Sequence, residues 1–123
     1  VCGFTPLRGA GPESGTEGLA AYSHLHGLLP RLGFFIGHET KVPVDFAEII
    51  ACIAPRPVLV VAPTLDRDAV ISEVKAAVAA AGRVYGLLGA GEKLSLSTPT
   101  DYSRFDETRQ GEVADWLKKT AGR

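Results

Sequence analysis

Two aspartates follow an unbroken apolar run. In RPVLVVAPTLDRDA, residues 56–69, the stretch Val58-Leu59-Val60-Val61 breaks at Ala62-Pro63, and Asp66 and Asp68 then flank Arg67. A carboxylate shortly past a strand end is a residue type that can exchange a proton or accept a hydrogen bond within a site. Each aspartate also has an ordinary structural reading. Asp68 is placed to cap the helix that follows. Asp66 reads either as a turn residue bonding its own backbone or as the acid of a site, because ligands of open α/β sheets sit beyond the carboxyl ends of the strands.

The other chemistry-bearing residues are sparse. Ser14, Ser23, Ser72, Ser95, Ser97 and Ser103 are the serines, and none has Gly at both −2 and +2, so the nucleophile elbow G-x-S-x-G is absent. The histidines are His24, His26 and His38, with none after His38. His24 and His26 are two apart and diverge on a helix, whereas a helical metal site wants i and i+4; hydrogen-bonded or solvated histidines are the ordinary reading. Cys2 and Cys52 lie in apolar surroundings and read as buried free thiols; spacing alone leaves a disulfide between them open. Two cysteines and scattered histidines make no zinc pattern, and no metal or cofactor is expected. GAG at residues 89–91 is too little of G-x-G-x-x-G to read as a phosphate loop. Arg56, between two prolines, is expected to pair with a carboxylate or carbonyl at the sheet's lower edge. Trp116 is expected to anchor the last helix in the core.

Composition narrows the class. The chain has 123 residues, 46% hydrophobic and 22% charged, with a formal net charge of −1, as expected for one globular domain. That charge leaves no electrostatic footprint for nucleic acid or an anionic membrane. No apolar run approaches the ~18 residues of a membrane span. The chain holds no methionine and opens on VCGFTP; the expectation is that further polypeptide precedes residue 1.

The elements that would position Asp66 alternate between strand and helix. Residues 1–5 read as a strand stopped by Pro6, and residues 6–16 as an irregular loop rich in Gly, Pro and Ser. Leu19, Tyr22, Leu25, Leu28 and Leu29 have helical spacing over residues 17–29. LPRLGFFIG is apolar and of undefined type. Asp45 and Glu48 form a capping box opening a helix over 45–53, with Val44 and Ile49 spaced as a staple and Pro55 and Pro57 beyond its end. Residues 58–61 read as a parallel strand covered on both faces. Residues 68–81 read as a helix stopped by Gly82, residues 84–88 as a second buried strand, and residues 106–119 as a terminal helix that Gly111 weakens without breaking. The order predicts an α/β fold with a parallel sheet of three visible strands, whose open edges invite pairing.

The runs PVDFAEIIACIAPRPVLVVAPTLDRDA and RVYGLLGAGEKL, with a final helix carrying DWL, resemble the C-terminal half of an α/β-hydrolase of the dienelactone-hydrolase and acetyl-xylan-esterase-like branch. The likeness is most specific over residues 45–88. It implies that residues 1–123 are the C-terminal portion of a single three-layer α/β-hydrolase domain with a mostly parallel sheet. The N-terminal strands and nucleophile elbow would lie outside this chain. It implies that Asp66 is the catalytic acid, which would hold the triad histidine in its working tautomer. It also implies a histidine two residues before an aromatic in the last loop. Here Ser103 stands at that distance before Phe105, and a serine hydroxyl is too weak a base to replace imidazole near pH 7.

Three expectations follow. One is a fragment of a serine-type carboxylic-ester hydrolase, active on small-molecule esters once an N-terminal half or a second chain supplies the nucleophile. Another is a non-catalytic hydrolase-like binding or interaction domain. The third is a homo-oligomer that buries the sheet edge and the FFIG segment. His24, His26 and His38 are the only imidazoles available as a substitute base.

Overall fold

The computed structural model describes residues 4–9, 18–19 and 29–122. Most of the helix expected over 17–29 and the first residues of the strand expected at 1–5 lie outside that set; Phe4 and Thr5 are irregular. Helix α1 spans Phe46–Ala51 and strand β1 Val58–Val61. Helix α2 spans Ile71–Leu87, β2 Leu94–Ser97 and α3 Glu107–Ala121. Short 3-10 turns occupy Pro30–Phe35, Glu39–Lys41 and Gly91–Lys93.

Helix α1 starts where its sequence signal puts it. Asp45 accepts from the Phe46 N–H at 2.7 Å, while Glu48 reaches back to the Asp45 N–H at 2.9 Å, completing the capping box. Asp45 is buried because it also accepts from the N–H groups of Leu7 at 2.8 Å and Arg8 at 3.0 Å. Arg8 is held further by the Val42 carbonyl at 2.8 Å and by Glu48 at 2.5 Å. Phe4 stacks on Phe46 with ring centroids 4.4 Å apart. Val44 and Ile49, spaced for a staple, remain exposed. Cys52, expected to be buried, is an exposed free thiol at the end of α1.

The largest departure from the sequence expectation concerns residues 82–97. Gly82 does not stop α2, and residues 84–88 are not a strand: they form the helix's last turn and its C-cap, Leu88. The stop is Gly89, at φ 64°. The Gly89 N–H donates to the Gly86 carbonyl at 3.0 Å and the Ala90 N–H to the Tyr85 carbonyl at 2.9 Å. That pair of bonds is a Schellman closure, which requires a left-handed residue. The second strand is instead LSLS at Leu94–Ser97.

The two strands run parallel, with Val58 opposite Leu94 and Val61 opposite Ser97. The crossover between them is α2, as parallel pairing demands. The chain is therefore α/β with a small two-stranded parallel sheet among the described residues. Alternation along β2 divides the sheet's faces. Leu94 and Leu96 join the core formed by Val60, Ala62, Val74, Val78, Ala81 and Tyr85. Ser97 turns the other way and bonds Glu112 of α3. Helix α2 thus packs on the leucine face, and α3 reaches the serine face through Glu112. Tyr85, 0% exposed, donates its hydroxyl to the Arg56 carbonyl at 2.8 Å. It is the backbone of Arg56 that is used; its side chain, expected to pair, lies on an exposed residue with no ion pair among the described residues. Burying a ring of this size stabilises by roughly 1.5–3 kcal/mol.

Candidate functional site

Parallel strands bring their carboxyl ends to one rim, and the segments that leave them, residues 62–70 and 98–106, meet there. Pairing continues past the strands: Ala62 N–H donates to the Ser97 carbonyl at 2.9 Å, Thr64 to Pro99 at 2.9 Å and Leu65 to Asp101 at 3.0 Å. Asp66 is the next residue. It lies at the rim expected of it, half-buried, in a tight bend whose N–H donates to the Pro63 carbonyl at 3.2 Å. Its Oδ1 accepts from the Asp68 N–H at 2.9 Å. This is an Asx turn, the local backbone bond for which Asp is common in turns. The other carboxylate oxygen has no protein partner among the described residues.

Asp68 does not cap α2. The helix begins two residues later than a cap at 68 would require, and its N-cap, Val70, makes no side-chain bond. The use made of Asp68 is its carbonyl, which accepts from the Thr5 hydroxyl at 2.7 Å and ties the 4–9 segment to this rim. Arg67 is almost wholly exposed and, among the described residues, pairs with Asp68 alone, at 3.6 Å.

The facing segment is held by charge. Asp101 accepts from the Tyr102 N–H at 2.8 Å and pairs with Arg104 at 2.8 Å and Arg109 at 3.8 Å. Arg109, 8% exposed at its side chain, also pairs with Glu112, and Glu112 in turn accepts from Ser97. Asp106 caps α3 through the Arg109 N–H at 3.0 Å and pairs with Arg104 at 3.2 Å. The Tyr102 N–H, and then Arg104 and Arg109, hold the Asp101 carboxyl below its ordinary value. The Ser97 hydroxyl, and then Arg109, do the same for Glu112. The sequence reading missed this cluster; the alternation of acid and base in DYSRFDETRQGE is the signal that carries it.

Ser103 is exposed on this segment, two residues from the paired Asp101. Leu65, Tyr102 and Phe105 are exposed large apolar groups on the two segments at the same rim. No histidine bonds Asp66 among the described residues. His24 and His26 lie outside those residues, and His38 is exposed at the start of the Glu39–Lys41 turn. Among the described residues no three His, Cys, Asp or Glu side chains gather as metal ligands would. Trp116, expected in the core, is half-buried beside a cleft at the opposite rim. The chain matches no family model and no curated protein.

Proposed function

We propose that this chain contributes the acid-bearing side of a serine-esterase active site of the α/β-hydrolase type, with Asp66 as the acid. One observation carries the reading: the Leu65 N–H bonds the Asp101 carbonyl at 3.0 Å. That contact sets the acid's segment beside the segment on which the hydrolase resemblance expects the histidine. The succession of strand, acid segment, crossover helix, parallel strand, second segment and last helix also fits that resemblance.

Asp66 keeps one carboxylate oxygen for its turn and leaves the other open to accept an imidazole N–H. Such a bond fixes the histidine's tautomer and stabilises the imidazolium formed when the nucleophile loses its proton. Leu65, Tyr102 and Phe105 offer apolar surface to the acyl or alcohol part of a small ester. Nucleophile, oxyanion donors and base must come from polypeptide preceding residue 1, from a second chain, or, for the base alone, from His24, His26 or His38. The test supplies the upstream coding sequence and assays short p-nitrophenyl esters. Hydrolysis that falls by about 10⁴ in Asp66→Ala supports the reading; no hydrolysis, or hydrolysis indifferent to Asp66, overturns it.

The second reading is a hydrolase-like binding domain without catalysis. Ser103 favours it, since the residue two positions before Phe105 has no basic group. Ser103→His in the same upstream-completed protein separates the two. A gain in esterase rate of about a hundredfold or more marks an enzyme short of its base, and an unchanged rate marks a binding domain.

A further inference from the structure

The face of the sheet toward α3 is lined by serines, and that choice opens a space. Ser95 and Ser97 alternate with Leu94 and Leu96, so both serines project to the α3 side. Ser97 is spent on Glu112. Ser95 is too small to fill the gap below the last turns of α3, and a cleft of about 350 Å³ remains. Trp116 and Pro57 give it apolar wall. Lys93 and Lys119 line it too, and among the described residues neither has a carboxylate within ion-pair distance. The Ser95 hydroxyl likewise has no protein partner among the described residues. Thr120 turns its hydroxyl to the Trp116 carbonyl at 2.7 Å, so it is not a free donor.

We propose that this cleft is a binding site for a compact aromatic monocarboxylate. Its ring lies against the Trp116 indole, and its carboxylate takes hydrogen bonds from Lys93, Lys119 and Ser95. The volume falls at the lower end of small-molecule sites, which are largely apolar with a few convergent polar groups. Aromatic faces stack on a flat ring, and an ammonium–carboxylate bond is stronger than a neutral one. Glu92 lines the same cleft and disfavours a second negative charge on the ligand. Pro57 immediately precedes β1, and Glu92 and Lys93 precede β2. The cleft is therefore at the amino-end rim, away from Asp66, and the proposal is independent of any reading of that residue.

Trp116 is the one tryptophan in the chain, so its indole N–H gives a single cross-peak in a nitrogen-15 correlation spectrum. Titrating the chain with benzoate is expected to shift that peak saturably, with a Kd on the order of 1 mM. Benzamide, equal in shape and uncharged, is expected to bind about tenfold more weakly. The Lys93→Ala/Lys119→Ala double variant, changed at polar surface positions, is expected to lose about tenfold for benzoate and nothing for benzamide. Ser95→Leu, which fills the space, is expected to abolish both shifts. A shift that rises linearly without saturating, equal affinity for benzamide, or unchanged benzoate binding in the double variant overturns the proposal.

Discussion

The backbone N–H of Leu65 and the carbonyl of Asp101 are joined at 3.0 Å, and this bond couples two segments that each belong to a different strand. Behind Asp101 stand Arg104, Arg109 and Glu112. A buried guanidinium on α3 is thereby connected, through the Asp101 carboxylate and one backbone hydrogen bond, to the residue preceding Asp66.

Breaking that frame should be visible in stability and in its pH dependence. Asp101 and Glu112 are held below their ordinary values of 3.8 and 4.5 by hydrogen bonds and by Arg104 and Arg109. A depressed carboxyl pKa contributes stability that is complete above the unfolded value and lost as pH falls through the folded one. Arg109→Leu is expected to cost about 2 kcal/mol at pH 7, less than a fully buried pair because Glu112 keeps solvent contact. Its loss of stability below about pH 5 should be shallower than that of the parent. Urea unfolding at a series of pH values measures both; parallel pH profiles would refute the linkage.

Gly82 within α2 and Gly89 just past its end should respond in opposite directions. Gly82 is helical, and an added Cβ would meet only Leu94 Cδ2 at 3.8 Å, an ordinary contact. Gly82→Ala is expected to stabilise by about 0.5–1 kcal/mol. Gly89 is at φ 64°, and Gly89→Ala is expected to destabilise by about 1 kcal/mol. Thermal melts of the two variants decide it, and equal signs would count against the placement of the helix end.

Asp45 satisfies more than a helix start. It holds the N–H groups of Leu7 and Arg8 besides that of Phe46. Asp45→Ala is expected to cost about 2–3 kcal/mol, above the roughly 1 kcal/mol of an ordinary cap. Limited proteolysis should then cut near residues 4–9 before the rest of the chain. A loss of only cap size, with no early cleavage, would show that these bonds contribute little.

Tyr85 supplies a hydroxyl from within the core to the Arg56 carbonyl. Tyr85→Phe is expected to cost about 1 kcal/mol at neutral pH. Burial pushes the Tyr85 phenol up from its usual value of 10.0. A raised phenol pKa contributes stability present below the unfolded value and lost as pH rises through the folded one. The parent should therefore lose stability above about pH 10 more steeply than the Phe variant; curves that stay parallel in alkali would argue against that linkage.

Much of the frame was legible in the sequence because local chemistry agreed with the final fold. The capping box at Asp45 and Glu48, the continuous apolar run of β1 and the terminal helix expected over 106–119 each appear, the last as Glu107–Ala121. Residues 84–88 misled because VYGLL is apolar in either state, and periodicity does not separate a short buried strand from a helix's last turn. The arbiter is Gly89, whose left-handed backbone closes the helix. LSLS was passed over because serines occupy half of it, yet they face α3 and Glu112. Asp66 stands past β1, and its Asx turn is the turn reading its sequence already offered; the Asp101–Arg109 pairing lay in the alternation of acid and base over residues 101–112, which went unread.

The division of β2 into an oily side and a hydroxylic side has a consequence for how the ribbon assembles. A slip of one position would press both serines into the oil and turn both leucines toward the carboxylate of Glu112. Four consecutive side chains therefore proofread the alignment of the two strands, and mispaired arrangements are rejected by solvation before any neighbour is needed to forbid them.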